Sequence, residues 1–489
     1  MRLFEGLLFL ALLVISPVHA IDLVLGDEAS VKAAAKTIAF GMTEYYTGDN
    51  PGDVPGNLPD PYFWWEAGAM FGMLVEYWAL TKDDTYNVMT MQALLHQATE
   101  NGDFMPPNQT RTLGNDDQGF WGMAAMSAAE YNFPNPPQDK PQWLALAQSL
   151  FNQWATRWEE STCQGGLRWQ IFSFNAGYNY KNSISNGCFF NIAARLARYT
   201  GNQTYAEWAA RIWAWEEAIG LITSDYQVHD GVHINTNDNT CSQTDTNQWT
   251  YNAGIFLHGA AVMYNLTSNP IWRERVEGLL RTTVSTFFTL PENNTNSRTP
   301  VMHEQLCEPL SLCNIDQRSF KGYLTRWLAN TAQLAPFTFQ TIQPLLLADA
   351  AAAAQACTGS VRTLVPNIPG ARPEPPFRGE PGTACGFRWT VNGFDGQTGV
   401  GEQMNALAAV MYSMVVDPNL SQFAPVPLTA VSGGTSKGDP SAGTSPRGAE
   451  EERKRLLDGE ITIKDQVAAG FLTSAIVLGV VMGCIFVII

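Results

Sequence analysis

The stretch Thr81-Lys-Asp-Asp-Thr-Tyr86 recurs along the chain as Thr200-Gly-Asn-Gln-Thr-Tyr205 and as Thr267-Ser-Asn-Pro-Ile-Trp272. Each copy joins an apolar segment to an amphipathic one, and its Asp or Asn is placed to cap the second helix. The copies begin 119 and then 67 residues apart, close to two units and one unit of about 60 residues. This repeat predicts a protein built from helical hairpins.

The number and character of the helices refine that prediction. Periodic apolar segments predict about twelve helices, near residues 29–46, 62–80, 84–99, 116–131, 140–158, 184–199, 203–219, 249–266, 270–287, 319–334, 339–356 and 400–415. Residues 120–131 are apolar or small nearly all round, which is typical of a buried helix, whereas residues 143–158 keep a polar face. This alternation predicts an all-α fold, an (α/α)6 toroid of six helical hairpins. A repeat solenoid fits less well, because the loops are long and unequal.

Strand patterns are scarce. Only residues 167–172 and 226–234 carry them, and we expect each segment to form a short hairpin.

The composition excludes some classes of function. The 489 residues carry a net charge of −17, which argues against a nucleic-acid partner because such partners require a basic surface. A hydrophobic content of 45% with 15 Trp supports an extensive core. No Cys/His cluster has the spacing of a zinc site and no calcium-loop pattern is present, so we expect no metal or other cofactor.

Both ends of the chain carry targeting patterns. Residues 1–20 combine a basic start, an apolar stretch and a small-residue cleavage site, as in a secretory signal. Five glycosylation sequons fit the same route, at Asn108, Asn202, Asn265, Asn293 and Asn419. We expect one folded domain over residues 21–425, a Ser/Gly/Pro-rich and charged flexible stalk over 426–466, and a hydrophobic tail over 467–489.

The hydrophobic tail has two interpretations. It contains no charge and is long enough to span a bilayer. No basic residue follows it, which argues against a retained transmembrane helix. An apolar terminus after a polar spacer is instead the pattern of a GPI-anchor signal. Either interpretation places the domain at the outer face of the plasma membrane, attached through its C-terminus.

Cysteine usage indicates an oxidising compartment. Seven cysteines precede the tail, which holds an eighth, Cys484. We expect up to three disulfides and one free thiol among the seven. Cys307 and Cys313 bracket a short loop and are the easiest local pair, whereas the other pairings cannot be read from spacing.

The adjacent acids Asp116 and Asp117 are the strongest indication of chemistry. They lie in Leu-Gly-Asn-Asp-Asp-Gln-Gly-Phe-Trp-Gly (113–122), where a loop becomes a helix. Such acids can simply complement a helix N-terminus. Two like charges this close also push their proton affinities apart. One carboxylate beside one carboxylic acid is what cleavage of a glycosidic bond requires.

Loops that would open onto one end of the toroid are rich in aromatic and amide side chains. Sugars present apolar ring faces and hydroxyl groups, so flat aromatics beside neutral amides suit a sugar-binding surface. The candidate sugar contacts are Trp121, Trp169, Gln170, Tyr251 and Asn252. Packing is the alternative for each, because Trp is usually buried.

Charged side chains in the same loops have less specific roles. Three cations are candidates for orienting polar groups near the cleft, with packing or surface charge as the alternative: Lys181, Lys321 and Arg326. Three further loop acids are expected to be turn or capping residues: Asp230, Glu304 and Asp395.

Four motifs resemble glycoside hydrolase family 76, the endo-α-1,6-mannanases, and especially its GPI-anchored fungal cell-wall branch. They are Gly-Asn-Asp-Asp-Gln (114–118) with Phe-Trp (120–121), Tyr-Lys-Asn-Ser-Ile-Ser-Asn-Gly (180–187), Thr-Tyr-Asn-Ala-Gly (250–254) and Phe-Lys-Gly-Tyr-Leu-Thr-Arg-Trp (320–327). The resemblance covers about residues 25–415 and implies a toroid of six helical hairpins. It also implies that Asp116 is the nucleophile and Asp117 the general acid/base of a retaining mechanism.

The implied mechanism sets a geometric requirement. The carboxyl groups of a retaining pair lie about 5–5.5 Å apart, yet consecutive helical residues point about 100° apart. The pair must therefore lie at the loop–helix junction, where we expect Gly114 to supply backbone freedom and first-turn amides to keep Asp116 ionised.

Several functions stay open from the sequence. The resemblance implies action on α-mannan or a GPI glycan in cell-wall biogenesis, with β-glucan as a possible acceptor of GPI-mannoproteins. Hydrolysis and transglycosylation diverge only at the acceptor step, so the sequence does not separate them. The alternatives are a toroid glycosidase for another polysaccharide and a non-catalytic wall-glycan-binding or adhesion protein.

Overall fold

Twelve α-helices make up about half of the computed structural model, which describes residues 21–292, 299–364 and 372–444. They are α1 (Glu28–Thr43), α2 (Trp64–Thr81), α3 (Asn87–Gln97), α4 (Asn115–Glu130), α5 (Trp143–Arg157), α6 (Ser183–Thr200), α7 (Gln203–Ala218), α8 (Thr250–Thr267), α9 (Pro270–Phe287), α10 (Phe320–Leu334), α11 (Phe339–Ala356) and α12 (Val400–Val416). Every helix lies where the apolar periodicity predicts one, with its ends displaced by a few residues.

The even-numbered helices form a closed inner ring. Each contacts the next even-numbered helix, and α12 contacts α2; the odd-numbered helices pack around the outside. All of α12 is buried, and so is all of α4 except Asp117. The outer helix α5 instead leaves one polar face partly exposed. This arrangement confirms the predicted (α/α)6 toroid. We call the end where the inner helices begin the cleft end, and the opposite end the base.

The threonine repeat forms the turns at the base. In each copy the Thr hydroxyl donates to the carbonyl four residues earlier and accepts from the backbone N–H two residues later, at 3.2 Å. The residue between has a left-handed backbone, with φ of 65°, 73° and 52°. Asn202 and Asn269 cap α7 and α9 as predicted. Asp83 accepts the equivalent N–H, that of Thr85, but does not cap α3 because this helix begins only at Asn87.

Seven short strands link the loops within the described ranges. They are β1 (Tyr180–Asn182), β2 (Gly231–His233), β3 (Gln243–Asp245), β4 (Phe288–Thr289), β5 (Val301–Met302), β6 (Cys357–Gly359) and β7 (Ala384–Cys385). The two predicted hairpins were wrong. Residues 167–172 make a single bridge, from Gln170 to Gly114, and residues 226–234 supply the middle strand of a β1–β2–β3 sheet. The first segment pairs with a distant loop, and the second pairs with β1 and β3 after a local bridge between Ile222 and Val228.

Three disulfides tie the loops together: Cys163–Cys241, Cys307–Cys313 and Cys357–Cys385. Cys188 is a buried free thiol. Three bridges, one free thiol and the local Cys307–Cys313 pair all agree with the sequence prediction.

The segment 426–444 lies against the domain instead of forming a flexible stalk from residue 426. At the base, the Leu428 N–H donates to the Glu130 carbonyl at 2.8 Å. Further along, the Asp439 N–H donates to Gln148 Oε1 on α5 at 2.7 Å. The last carbonyl of α4 and a side chain of α5 thus find partners in this segment, and the packed part of the chain extends beyond residue 426.

Some predictions concern residues outside the described part of the chain. These are the secretory signal, the remainder of the stalk, the hydrophobic tail and Asn293. The sequons at Asn108, Asn202, Asn265 and Asn419 are exposed. Within the described ranges, no helix is both long and apolar enough to cross a bilayer.

Candidate active site

Two adjoining hollows, of about 290 and 330 Å³, open at the cleft end. The acidic lobe is lined by Trp65, Asp116, Asp117, Phe120, Trp169, Tyr180, Asn182, Asp230, Asp245, Asn247, Trp249, Tyr251, Asn314, Asp316, Gln317 and Phe320. The aromatic lobe is lined by Phe63, Trp64, Trp65, Gln109, Arg111, Thr112, Leu113, Asp117, Trp169, Gln170, Ala176 and Asp316. The four residues common to both, Trp65, Asp117, Trp169 and Asp316, form a saddle between the lobes.

Asp116 lies in the first turn of α4 and is 8% exposed. Its Oδ1 accepts the Asp117 N–H at 3.0 Å. Its Oδ2 accepts from Asn182 Nδ2, at the start of α6, at 3.2 Å. Both oxygens are thus oriented by neutral donors, and no Lys or Arg lines the acidic lobe.

Asp117 lies beside it with one oxygen engaged. Asp117 Oδ2 accepts the Gly114 N–H at 2.6 Å, which caps α4. A Cβ on Gly114 would overlap Asp116 Oδ1 and lie 3.2 Å from Asp117 Oδ2. Both carboxyl groups therefore lie against the same side of the Gly114 backbone. With φ of −94°, Gly114 is needed for the space it leaves, and not for the backbone freedom that we expected.

The segment 167–170 fixes the junction that turns both acids inward. The Asn115 N–H donates to the Trp169 carbonyl at 2.8 Å, and Asn115 Nδ2 donates to the Arg168 carbonyl at 2.8 Å. The bridge between Gly114 and Gln170 continues this pairing. The first turn of α4 is thereby held at the cleft.

Both carboxyl groups bind protons more tightly than a solvated aspartate. Burial raises the pKa of Asp116, against the lowering effect of its hydrogen bonds from Asn182 and backbone amides. Burial also raises the pKa of Asp117 well above its usual range, and the neighbouring Asp116 carboxylate raises it further. Burial therefore outweighs the first-turn amides that we expected to keep Asp116 ionised.

Asp230 lies in the acidic lobe, so its expected role as a turn residue was wrong. Its carboxylate accepts from the Tyr180 hydroxyl at 2.7 Å and from Asn252 Nδ2 at 3.1 Å. Burial raises the pKa of Asp230, and the nearby Asp245 adds to that shift. Strand pairing explains the position, because the β1–β2 ladder carries Asp230 to the start of α6. Glu304 and Asp395 accept backbone N–H groups, as predicted for capping and turn residues.

Five candidate substrate contacts lie away from the cleft lining, and packing accounts for the first two. Trp121 is fully buried between α2 and α4, where it stacks on Trp64 with ring centroids 5.3 Å apart. It faces the core because the whole circumference of α4 is buried. Asn252 is also buried and acts on the cleft only through its hydrogen bond to Asp230.

The three predicted cations lie away from the cleft for a different reason. Each forms hydrogen bonds or an ion pair with groups outside the cleft. Lys181 Nζ donates to three loop carbonyls, including that of Gly165 at 2.6 Å. Lys321 pairs with Glu308 at 3.1 Å. Arg326 Nε donates to Glu76 at 2.6 Å within the ring.

The remaining predicted contacts do line the cleft. Trp169 belongs to the saddle, Gln170 to the aromatic lobe and Tyr251 to the acidic lobe. Tyr251 stacks on Phe320 with centroids 3.8 Å apart and planes 7° apart.

Asp316 is the most important residue that the sequence analysis missed. Its Oδ1 accepts from Trp65 Nε1 at 3.0 Å, and burial raises the pKa of its carboxyl to about 6. The only sequence signal was its place shortly before Phe320, four residues ahead of a recognised motif. In the described ranges, no group of three His, Cys, Asp or Glu side chains is arranged to hold a metal ion.

Comparison with known sequences gives a match along most of the chain. The sequence profile of glycosyl hydrolase family 76 matches residues 30–424. The mannan endo-1,6-alpha-mannosidase DCW1 of Candida glabrata is 44% identical over 466 residues, which cover 95% of each chain. The protein of the same name from Saccharomyces cerevisiae is 42% identical and covers 95% of this chain and 94% of its own.

Solved structures share the toroid. Dfg5 from Chaetomium thermophilum, crystallised in complex with glucosamine, has a TM-score of 0.76 and 42% identity, over 88% of this chain and 99% of its own. The GH76A alpha-1,6-mannanase of a Salegentibacter species has a TM-score of 0.58 at 17% identity, over 80% of this chain and 100% of its own. The second similarity is one of fold alone.

Proposed function

The chain belongs to glycosyl hydrolase family 76, and on that basis we propose that it is a retaining enzyme acting on α-1,6-mannose linkages at the cell surface. The observation that carries the proposal is the pair Asp116–Asp117, one buried and one half-buried carboxyl group beside a sugar-sized cleft. Relatives more than 40% identical along nearly their whole length are named mannan endo-1,6-alpha-mannosidases. That similarity supports the same linkage here.

The first step divides the work between the two acids. Asp116 attacks the anomeric carbon, and the bond from that carbon to the departing oxygen breaks. Asp117 gives its proton to that oxygen. Its Oδ2 is engaged with the Gly114 N–H, so Oδ1 is the oxygen that carries the proton. Burial and the charge of Asp116 raise the pKa of Asp117 well above its usual range. This supports Asp117 as the proton donor and Asp116 as the nucleophile.

The second step releases the covalent mannosyl-enzyme. Asp117, now ionised, takes the proton of an acceptor hydroxyl, and that oxygen attacks the anomeric carbon. The bond from the carbon to Asp116 breaks, which restores both carboxyl groups. Water as the acceptor gives hydrolysis, and a glycan hydroxyl gives transfer.

The charge of the cleft favours a substrate without negative charge. The acidic lobe is lined by Asp116, Asp117, Asp230, Asp245 and Asp316, and no Lys or Arg lines it. An anionic sugar would be repelled there, whereas a neutral or amine-bearing glycan would not. We therefore propose α-mannan or the glycan of a GPI anchor as the donor. The relative crystallised with glucosamine is compatible with an amine-bearing ligand.

The proposed setting is the outer face of the plasma membrane and the cell wall. The apolar tail would hold the domain there through a GPI anchor or a single helix. In that position the enzyme would process mannan or attach GPI-mannoproteins to wall β-glucan. A wall-glycan-binding protein without turnover is the competing proposal, which the intact acid pair disfavours.

Turnover of linear α-1,6-mannan by the purified protein, with labelled acceptors, tests the proposal. We expect Asp116→Asn and Asp117→Asn each to reduce turnover by at least roughly 10²-fold, the lower end of what acid–base groups contribute. Asp349→Asn is the matched control, because Asp349 is a fully buried aspartate outside both lobes. Binding without turnover in the wild type would establish the adhesion alternative instead.

A further inference from the structure

A hollow of about 10 Å³ lies at the centre of the inner ring, apart from both lobes of the cleft. The helices α2, α4, α6, α8 and α10 all contribute to its lining. Phe120 also lines the acidic lobe, so the hollow lies beneath the floor of the cleft. A space of this size holds one particle about as large as a water molecule.

The hydrogen-bond acceptors in this hollow are already engaged. Its polar side chains, none of them more than 8% exposed, are Glu76, Arg195, His258, Arg326 and Asn330. Glu76 Oε1 accepts from the Ser127 hydroxyl at 3.0 Å and from Arg326 Nη2. Glu76 Oε2 accepts from Arg326 Nε at 2.6 Å and from the Tyr412 hydroxyl. Each carboxylate oxygen therefore has two donors.

Both guanidinium groups keep an unused nitrogen. Arg326 binds Glu76 through Nε and Nη2 only. Arg195 likewise binds Glu130 through Nε at 3.0 Å and Nη2 at 2.6 Å. Neither Nη1 group donates to an acceptor in the described ranges, so each leaves two charged N–H donors beside the hollow.

Two neutral side chains add further donors. Asn191 Nδ2 donates to the Ile255 carbonyl at 3.3 Å and lies 3.0 Å from His258 Nδ1. His258 Nδ1 is therefore the acceptor of that bond, and the imidazole proton is on Nε2. Asn330 Oδ1 accepts the Tyr131 hydroxyl at 3.1 Å, which leaves Nδ2 as its donor. Among the residues that the structure describes, neither His258 Nε2 nor Asn330 Nδ2 has an acceptor.

A hollow that offers donors without free acceptors suits an anion better than water. A water molecule must also donate two hydrogen bonds, whereas an anion accepts from every side, and most strongly from charged donors. Burial lowers the pKa of His258 well below its usual range, and the charges of Arg195 and Arg326 lower it further. The guanidinium groups thus make the potential at the imidazole positive. The volume excludes phosphate and carboxylates.

We propose that this hollow binds one monatomic anion, chloride, through Nη1 of Arg195 and of Arg326, His258 Nε2 and Asn330 Nδ2. These side chains come from three inner helices, so the anion joins α6, α8 and α10 at the axis of the ring. It also gives acceptors to buried donors whose lack of a partner would destabilise the fold. The inference does not depend on the proposed function.

Urea unfolding of the purified protein tests the site in solution, with chloride replaced by gluconate at constant ionic strength, because gluconate is too large for the hollow. One anion that binds only the native state should lower the unfolding equilibrium constant about tenfold for each tenfold rise in chloride above its Kd. Anomalous diffraction from crystals grown in bromide tests the position, and we expect one peak within hydrogen-bond distance of the four donors.

Asn330→Asp sharpens the test, because its carboxylate replaces a donor and supplies a negative charge beside both guanidinium groups. We expect this variant to lose the chloride dependence and the bromide peak. Asn237→Asp makes the same charge change at an exposed position and should retain the wild-type dependence.

The chloride site would be overturned by a wild-type unfolding constant that does not respond to chloride. A bromide peak without that response would mean binding at crystal concentration only, and would overturn it too. A chloride dependence that persists in Asn330→Asp would place the anion elsewhere. If Asn330→Asp does not fold, the two wild-type measurements decide the question.

Discussion

Buried carboxyl groups occur in two regions of the inner ring, and their partners differ. Deeper in the ring, Glu76 accepts from Arg326 and Glu130 accepts from Arg195, both at 2.6 Å. At the cleft end, Asp116 and its neighbours receive hydrogen bonds from amides, a hydroxyl and an indole, and no Lys or Arg lines the acidic lobe. Similarly buried carboxyl groups thus have either a cationic or a neutral hydrogen-bond donor as their partner.

The difference separates structural acids from chemical ones. A buried carboxylate that is paired with a guanidinium stays charged and joins two helices. A buried carboxyl group without a cation binds its proton more tightly, which suits it to proton transfer near neutral pH. The lack of a paired cation therefore separates the cleft acids from Glu76 and Glu130, although buried acids outside the cleft, such as Asp349, share it.

The largest expected effect comes from breaking a structural pair. Arg326→Met leaves Glu76 buried without its cation, and we expect the free energy of unfolding to fall by about 3–5 kcal/mol. Urea denaturation measures it. Arg273→Met, which removes a half-exposed pair with Glu277, should cost less than about 1 kcal/mol. Similar losses of unfolding free energy in both variants would mean that the buried pair stabilises the fold no more than the half-exposed pair does.

A smaller effect is expected from displacing the Asp116–Asp117 pair without changing its charge. Gly114→Ala places a methyl group against Asp116 Oδ1, and we expect about a 10²-fold loss of mannan turnover, as for a misplacement of about 1 Å. Gly72→Ala in α2, whose new methyl would meet Ala124 Cβ at 3.2 Å, should keep its activity. Full activity of Gly114→Ala would show that close approach of the two acids is not required.

The smallest expected effect concerns stability and pH. Since folding raises the pKa of Asp117, the native protein holds a proton that the unfolded chain releases above about pH 4. The wild-type free energy of unfolding should therefore fall as pH rises from 4 to 8. Asp117→Asn has no such proton and should gain about 1 kcal/mol or more over wild type across that range.

Unfolding of both proteins at pH 4, 6 and 8 measures the gain. Asp225→Asn, at an exposed position, should track the wild type. A variant that loses stability at high pH would place Asp117 with the structural acids.

The helices could be predicted because their information is local. Apolar periodicity located all twelve, and Asn202 and Asn269 were recognised as caps from adjacent residues alone. Cys307 and Cys313 could be paired because they lie only six positions apart. The strands could not be predicted in this way, since β2 pairs with segments about 50 residues before it and about 12 after it.

The acid pair is recognisable from the sequence, and Trp169, Gln170 and Tyr251 reach the cleft as predicted. The three cations do not reach the cleft. The sequence around a lysine or arginine does not show whether the side chain will pair with a buried group elsewhere in the fold. Asp230 and Asp316 were undervalued for the converse reason. An isolated loop acid looks like a turn residue until the loops are assembled around it.

The sequence alone determined the short-range features: the apolar periods, the repeated turns and the two adjacent acids. Each of these depends only on residues that lie close together in the chain. The pairing of a buried acid with a cation joins side chains as much as 250 positions apart, as with Glu76 and Arg326. Only the closed ring brings such groups together. The proton affinities of the cleft acids follow from that assembly, because desolvation and missing counter-charges are properties of the folded interior.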